Sequence, residues 1–271
     1  MIEILKSILI GIIQGITEWL PVSSTGHMIL LDELIRLKVT PEFREMFFVV
    51  IQLGSILAVL TLYFHKLNPF SPKKSAVEKK QTWTLWLRVV IAAIPAAILG
   101  LLFDDWFDEH FYNYVVVAIA LVAYGVAFIV VERINRKRSF RVTSVYDIDA
   151  KTALGIGAFQ CLSLIPGTSR SGSTILGSTV IGVSREAAAE FSFFLAIPVM
   201  LGASALKLLK FGFDFTGAEI GILIAGVVTA FLVSVAVIRF LMEFVRSHTF
   251  EAFGWYRIIL GIVVLLRFAF A

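Results

Sequence analysis

The chain has 271 residues, of which 58% are hydrophobic and 16% are charged, and its mean hydropathy is +0.89. Soluble domains usually carry about 25% charged residues, so this composition excludes an ordinary soluble protein and predicts a single integral membrane domain. The formal net charge of +4 is concentrated in two short loops, which indicates membrane topology and not nucleic-acid binding.

Residues 4–37 form the first predicted element, in which two short apolar halves flank a polar turn that contains Pro21. A polar turn is tolerated at membrane depth only where protein or a wet cavity surrounds it, because lipid leaves its backbone groups without hydrogen bonds. The segment therefore predicts a re-entrant helical hairpin. Gln14 and Glu18 lie four residues apart in its first half, so we expect their side chains to share one helical face.

The apolar stretches that follow are long enough to cross a bilayer, which needs roughly 20 residues per helix. Two loops between them, 65–88 and 133–151, are rich in lysine and arginine, whereas the loop 104–111 has neither and carries acidic residues. The positive-inside rule places the basic loops in the cytoplasm and the acidic loop outside. Six full transmembrane helices are predicted in all, at 45–64, 84–103, 112–132, 188–210, 217–242 and 253–270.

Residues 150–183 repeat the pattern of the first hairpin, with Pro166 and Gly167 at the bend. Three predicted spans separate the two hairpins, and this odd number brings the second hairpin in from the opposite side of the membrane. The predicted fold is an all-α polytopic integral membrane protein with an inverted-topology repeat, six full transmembrane helices and two re-entrant helical hairpins. The predicted boundaries are repeat one at about 1–132, a cytoplasmic linker at about 133–149 and repeat two at about 150–271.

The repeat is visible in the residues themselves. Polar groups inside apolar surroundings are costly at membrane depth and usually mark function. In inverted repeats such groups commonly form one site near the midplane, where the two copies meet. We therefore expect one composite site. A shift of 146 residues aligns Gly11 with Gly157, Gln14 with Gln160, Ser23 with Ser169, and Gly26 with Gly172.

The residue types in the two hairpins predict an anion site. Pro21 ends the first half-helix, and Ser23 or Ser24 then suits the N-cap of the next one, whose free N–H groups attract anions. The second hairpin restarts in the same way and adds Arg170, whose planar fork matches phosphate oxygens. The inferred ligand is a phosphate or diphosphate attached to an apolar chain. The polar residues expected to converge are Gln14, Glu18, Ser23, Ser24, Thr25, His27, Ser169, Arg170, Ser171 and Thr174.

Three sequence motifs occur in order along the chain. A (Glu/Gln)-x-x-x-Glu motif is seen from Gln14 to Glu18, a Pro-x-Ser-Ser-x-Gly-His motif from Pro21 to His27, and a Pro-Gly-x-Ser-Arg-Ser-x-x-Thr motif within 166–174. With these motifs the chain resembles, over its full length, the bacterial undecaprenyl-diphosphate phosphatase family, whose members confer bacitracin resistance. The resemblance implies hydrolysis of undecaprenyl diphosphate, which recycles the lipid carrier for cell-wall synthesis. Many members have Glu at position 14, and the Gln here concentrates proton transfer on Glu18.

The residues suggest individual roles, to which the resemblance adds a divalent cation. Ser24 is expected to attack the terminal phosphorus, with His27 or Glu18 accepting its proton. Attack by His27 itself, or directly by water, is left open. Glu18 is also expected to hold a divalent cation, Mg²⁺ or Ca²⁺, against the diphosphate. Phosphate binding is expected from Arg170, Ser169, Ser23, Thr25, Ser171 and Thr174, with Gln14, Gly26 and Gly167 in support.

Other interpretations fit part of the pattern. Glu18 and Arg170 are also compatible with a structural ion pair, and the hydroxyl groups with helix caps alone. Inverted repeats with broken helices are typical of transporters as well, so a lipid-phosphate transporter or flippase is the alternative function, although transport does not require Ser24 with His27 and Glu18. The resemblance implies a multi-pass protein of the bacterial inner membrane whose site opens to the periplasmic face. The expected partners are a polyprenyl diphosphate lipid and the membrane, without nucleic acid; a homodimer is left open.

Overall fold

The computed structural model describes residues 1–111 and 113–269, apart from the side chains of residues 29, 32, 33, 104, 105, 108 and 269. These residues are mostly α-helical, and the β-type pairing within them is an isolated bridge between Val142 and Val183. The helices of the described residues are α1 (Ile2–Thr17), α2 (Ser24–Ile35), α3 (Pro41–Val50), α4 (Gln52–Leu62), α5 (Phe64–Leu67), α6 (Ala76–Phe111), α7 (Tyr114–Asn135), α8 (Ala150–Cys161), α9 (Arg170–Ile181), α10 (Arg185–Phe211), α11 (Gly217–Ser247) and α12 (Glu251–Ala269).

Each predicted hairpin folds as two short helices joined by a tip. The first tip, 18–23, joins α1 to α2, and the second, 162–169, joins α8 to α9. Both tips end at a serine with a positive φ, 72° at Ser23 and 71° at Ser169. The side-chain oxygen of each serine accepts a hydrogen bond from the amide three residues later. The second helix of each hairpin therefore starts with the same N-cap.

The long helices pack in pairs that relate the two halves of the chain. Helix α1 lies against α11, α8 lies against α6, and α7 and α12 lie against each other. A Cβ built on Gly11 would lie 2.7 Å from the carbonyl oxygen of Gly226, and one on Gly157 would lie 2.4 Å from that of Ala92. Small residues of this kind let membrane helices approach closely. The first helix of each hairpin thus packs on the same kind of partner in the opposite half.

Five helical segments of the described chain are long and apolar enough to cross a membrane. They coincide with five of the six predicted spans. The sixth predicted span, 253–270, corresponds to α12, which is not among the segments found within the described residues and stays a prediction. The chain is therefore an all-α polytopic membrane protein. The five segments are Pro41–Leu62, Ala76–Phe103, Tyr114–Asn135, Arg185–Phe211 and Gly217–Ser247.

Helix α6 is longer than the predicted span 84–103. It begins at Ala76, inside the predicted basic loop 65–88, and its backbone stays helical to Phe111. The segment 104–111, predicted as a loop between spans, is therefore helical, whereas the candidate membrane span within α6 ends at Phe103, as predicted; that this acidic segment faces outwards stays a prediction. No Gly or Pro follows Gly100 in this helix, so the sequence contains no stop signal where the apolar run ends. The side chains of Asp104, Asp105 and Asp108, on which that prediction rested, lie outside the described residues.

Candidate active site

The two hairpin tips meet in the interior of the protein, where Glu18 and Arg170 form an ion pair. Arg170 Nη2 donates to Glu18 Oε1 over 2.8 Å, and the two side chains are 10% and 5% exposed. Gln14 Nε2 donates to the other carboxylate oxygen of Glu18 over 2.9 Å. Since Gln14 and Glu18 lie one helical turn apart, the amide holds the carboxylate towards the second hairpin. Carboxylate, amide and guanidinium therefore form one buried cluster.

Arg170 is fixed on its other sides by helix α10 and by the first tip. Its Nη1 donates to the carbonyl oxygen and the hydroxyl of Ser192, over 2.8 and 3.2 Å. Its guanidinium carbon lies 5.6 Å from the centre of the Trp19 ring, a cation–π distance. Arg170 Nε is buried and has no hydrogen-bond partner within the described residues. One N–H of this side chain is therefore still available to a ligand.

The hydroxyl groups of the second hairpin tie the tips together. Ser171 Oγ donates to the carbonyl oxygen of Glu18 over 3.0 Å and lies 3.1 Å from Ser169 Oγ. Ser169 Oγ also accepts from the amide of Gly172 over 3.1 Å. Thr174 Oγ1 lies 2.7 Å from the hydroxyl of Ser192. In this arrangement Ser169, Ser171 and Thr174 already have protein partners, and they line the same cluster as Arg170.

The first turn of α2 carries Ser24, Thr25 and His27. Ser24 and Thr25 are partly buried, and their side chains make no hydrogen bond to a described residue. His27 Nδ1 lies 2.7 Å from the carbonyl oxygen of Ser23, and Nε2 lies 2.7 Å from the hydroxyl of Tyr256. Because a carbonyl oxygen can only accept, Nδ1 carries a proton and Nε2 of the neutral ring accepts from Tyr256. His27 is thus oriented towards Tyr256 and is not bonded to Ser24.

Two hairpin glycines, Gly167 in the second tip and Gly26 in the first turn of α2, allow a close approach to helix α7. Gly167 has a φ of +94°, and a Cβ on it would lie 2.6 Å from the carbonyl oxygen of Val117. A Cβ on Gly26 would lie 3.0 Å from a methyl carbon of Leu121. Gly167 is therefore needed for both its backbone conformation and its space, whereas at Gly26 the space is what counts.

Helix α12 contributes two residues that the sequence analysis did not select, Tyr256 and Arg257. Tyr256 bonds to His27, as described above. Arg257 is 0% exposed and donates to the carbonyl oxygens of Pro21 in the first tip and of Gly167 in the second, over 3.1 and 2.8 Å. One signal was available, since Arg257 is a charged residue inside a predicted span, and such residues usually mark function. Tyr256 carried no comparable signal.

The expected divalent cation can be compared with the donors at this site. No group of three or more His, Cys, Asp or Glu side chains that could hold a metal ion occurs among the described residues. Glu18 is the one carboxylate in the cluster, and its two oxygens accept from Arg170 and Gln14. A single carboxylate suits a cation that takes most of its ligands from substrate phosphates and water. The donor set fits a shared cation of this kind and does not fit a metal held by protein alone.

The fold and the site define a polytopic membrane protein in which two helical hairpins build a buried polar site. Residues 7–263 match the family of the bacitracin resistance protein BacA. Similar relatives include an undecaprenyl-diphosphatase of Enterococcus faecalis, 60% identical over 98% of this chain and 97% of the relative. A relative of the same name from Limosilactobacillus fermentum is 57% identical over 99% of both chains. Undecaprenyl-diphosphatase 1 of Clostridioides difficile is 58% identical over 99% of this chain and 97% of its own.

The chain belongs to the BacA family. Its match to the relatives spans nearly the whole length on both sides, so both hairpins lie within the shared region.

Proposed function

We propose that this protein hydrolyses undecaprenyl diphosphate to undecaprenyl phosphate and inorganic phosphate. The observation that carries the proposal is the buried cluster in which Glu18 from one hairpin meets Arg170 from the other, beside the N-termini of α2 and α9. Helix N-termini and a guanidinium attract phosphate oxygens. Relatives that are 57–60% identical carry the name undecaprenyl-diphosphatase. Hydrolysis would recycle the lipid carrier for peptidoglycan synthesis and confer bacitracin resistance.

Ser24 is the proposed nucleophile. It is the first residue of α2, where the helix dipole favours a negatively charged oxygen. Ser24 Oγ attacks the terminal phosphorus, the bond to the bridging oxygen breaks, and its electron pair leaves with undecaprenyl phosphate. Water then hydrolyses the phosphoserine and releases inorganic phosphate. The proton of the serine hydroxyl passes to Glu18 or to His27 Nε2.

Each candidate base must leave a present partner before it accepts a proton. His27 Nε2 accepts from Tyr256, and Glu18 is paired with Arg170. Catalytic hydrogen bonds often form only once the substrate is bound. In the proposed scheme Arg170, whose Nε has no partner in the described structure, binds the terminal phosphate instead of Glu18. The carboxylate of Glu18 can then accept a proton. Attack by His27 or by water remains the rival scheme.

Binding of the diphosphate involves the remaining polar residues of the two hairpins. Arg170 is proposed to clamp the terminal phosphate, and the hydroxyls around it turn towards the phosphate oxygens. Glu18 would hold a divalent cation, Mg²⁺ or Ca²⁺, jointly with those oxygens, and this cation would offset their charge. The residues proposed to bind phosphate are Ser23, Thr25, Ser169, Arg170, Ser171 and Thr174, with Gln14, Gly26 and Gly167 holding the tips in place.

The proposed membrane layout has six full spans and two re-entrant hairpins in inverted orientation. Two similarities between the halves support it, namely the equivalent serine caps and the equivalent packing of α1 on α11 and α8 on α6. The basic segments 65–88 and 133–151 would then face the cytoplasm. We propose that the protein lies in the bacterial inner membrane with its site opening to the periplasmic face. The homodimer stays a prediction.

The test is phosphate release from undecaprenyl diphosphate by purified protein in detergent, where no membrane separates two compartments. A transporter would release no phosphate under these conditions, and the proposed enzyme releases it catalytically. The Ser24→Ala variant is expected to lose more than about tenfold in rate, because the covalent step is removed. Ser163→Ala is the matched control, since this tip hydroxyl donates to the carbonyl oxygen of Gln160 and has no other partner in the described part of the chain. A Ser24→Ala variant that keeps more than about a tenth of the wild-type rate contradicts the covalent scheme.

A further inference from the structure

Arg257 joins the two hairpin tips from helix α12. Its Nη1 donates to the carbonyl oxygen of Pro21 over 3.1 Å, and its Nη2 donates to those of Gly167 and Thr168 over 2.8 and 2.9 Å. The guanidinium carbon lies 5.3 Å from the centre of the Tyr124 ring. Arg257 is 0% exposed. This side chain is therefore an integral part of the interface between the tips.

The charge of Arg257 has no counter-ion in the described part of the chain. Its hydrogen-bond acceptors are carbonyl oxygens, which are dipoles without net charge. The carboxylate at the tips, Glu18, is paired with Arg170. A buried charge that lacks a partner is strongly unfavourable, and this holds more strongly inside a membrane. With Glu18 and Arg170 compensating each other, Arg257 gives the tips one excess positive charge, which an anion would neutralise.

Arg257 also has N–H groups that donate no hydrogen bond within the described structure. A guanidinium carries five N–H groups, and three are used by the carbonyl oxygens of the tips. Its Nε is buried and has no partner among the described residues, as is also true of Arg170 Nε. Its Nη1 lies against the first turn of α9, where a Cβ on Gly172 would come within 3.0 Å of it. The guanidinium of Arg257 therefore lies beside the first turn of α9, the helix whose first residue is Arg170.

We propose that Arg257 is a positioning residue of the diphosphate site. It supplies the positive charge that the diphosphate neutralises, and its three hydrogen bonds hold the two tips in register. Arg170 then clamps the terminal phosphate while Arg257 compensates the second negative charge of the ligand. This inference rests on the proposed function, because it takes the diphosphate as the ligand.

The experiment measures binding of inorganic diphosphate to the purified full-length protein, by calorimetry, and hydrolysis of the lipid substrate in parallel. Arg257→Met removes the charge at similar volume and is expected to weaken diphosphate binding about tenfold or more. Arg257→Lys keeps the charge but cannot bridge three carbonyl oxygens, so it is expected to bind diphosphate within about threefold of wild type with a lower kcat. Arg185→Met is the matched control, because Arg185 is paired with Glu132 away from the tips; it should lower the melting temperature and leave diphosphate binding unchanged.

Folded Arg257→Met with diphosphate affinity within twofold of wild type would overturn the inference. If Arg257→Met does not fold, the diphosphate affinity of Arg257→Lys is the test. A loss of affinity of about tenfold or more in this variant, which retains the charge, would equally overturn the inference. Failure of the proposed function would give a different result from failure of this inference. Wild type would then bind diphosphate but would not hydrolyse the lipid substrate.

Discussion

At the scale of single residues, the difference between Gln14 and Gln160 shows how the two hairpins have diverged. Gln14 donates to Glu18, one helical turn later. Gln160 occupies the equivalent position in the second hairpin, where the residue four positions on is Leu164. It is 0% exposed, and neither atom of its amide has a hydrogen-bond partner in the described structure. The first hairpin thus keeps a polar pair where the second keeps only an isolated amide.

Replacing each glutamine by leucine should separate these two situations. Gln14→Leu is expected to lower phosphate release about tenfold, because Glu18 loses the donor that orients it. Gln160→Leu is expected to stay within about twofold of the wild-type rate and to keep or raise the melting temperature, because it removes two buried polar atoms without partners. Equal losses of activity in the two variants would show that the second hairpin uses its amide in the same way.

At the scale of helical elements, the serine caps explain why both second half-helices start where they do. Pro21 cannot continue the first helix, and Ser23 and Ser169 then adopt a positive φ while their side chains cap the next turn. This geometry turns the chain sharply and directs the N-termini of α2 and α9 towards the tips. The anion-attracting ends of two helices are therefore a consequence of the tip sequences.

Substitutions at Ser169 test the conformation and the cap separately. Ser169→Ala keeps the unfavourable positive φ and loses the cap, so it should cost about 1 kcal/mol and lower the melting temperature by about 2–4 °C. Ser169→Gly also loses the hydroxyl, but glycine adopts a positive φ freely, so its melting temperature should stay close to that of wild type. Thermal unfolding in detergent provides the comparison. A glycine variant less stable than the alanine variant would contradict this explanation of the turn.

At the scale of the whole molecule, the halves of the chain are interleaved and do not fold as separate bodies. Helix α1 packs on α11, and α8 packs on α6, so each hairpin is held by the opposite half. Both tips also touch α12 through Arg257. The site therefore depends on helices from both halves, and neither half could form it alone.

Labelling of single cysteines tests the proposed orientation. In a Cys161→Ser background, Phe213→Cys should react with a membrane-impermeant maleimide in intact cells, because the loop after α10 is proposed to face outwards and Phe213 is 72% exposed. Lys73→Cys and Lys137→Cys, in the two basic segments, should react only after the cells are lysed. Labelling of both lysine positions in intact cells would reverse the topology.

The sequence predicts much of this structure because the informative residues are local. Proline, glycine and serine at the tips define the hairpins, and the motif residues Glu18 and Arg170 do lie together. The helical continuation of α6 beyond residue 103 was missed because the change from apolar to acidic residues marks the end of a membrane span and does not by itself end a helix, and no Gly or Pro follows Gly100. Tyr256 and Arg257 were missed for another reason. Their contacts join residues 89 to 236 positions apart, and no repeat or local motif predicts such contacts; the one sequence signal, the charge of Arg257 inside a predicted span, does not identify its partners.

The central claim is that the two hairpins form one phosphoryl-transfer site. The most direct test is phosphate release from undecaprenyl diphosphate by purified wild type and Arg170→Ala, each with and without EDTA. Arg246→Ala is the control, since this arginine is 59% exposed and pairs with acidic residues of α10 and α11. We expect wild type and the control to release phosphate only with a divalent cation, and Arg170→Ala to lose about a hundredfold or more. Full activity of Arg170→Ala, or a folded wild type that binds the lipid but releases no phosphate, would contradict the claim.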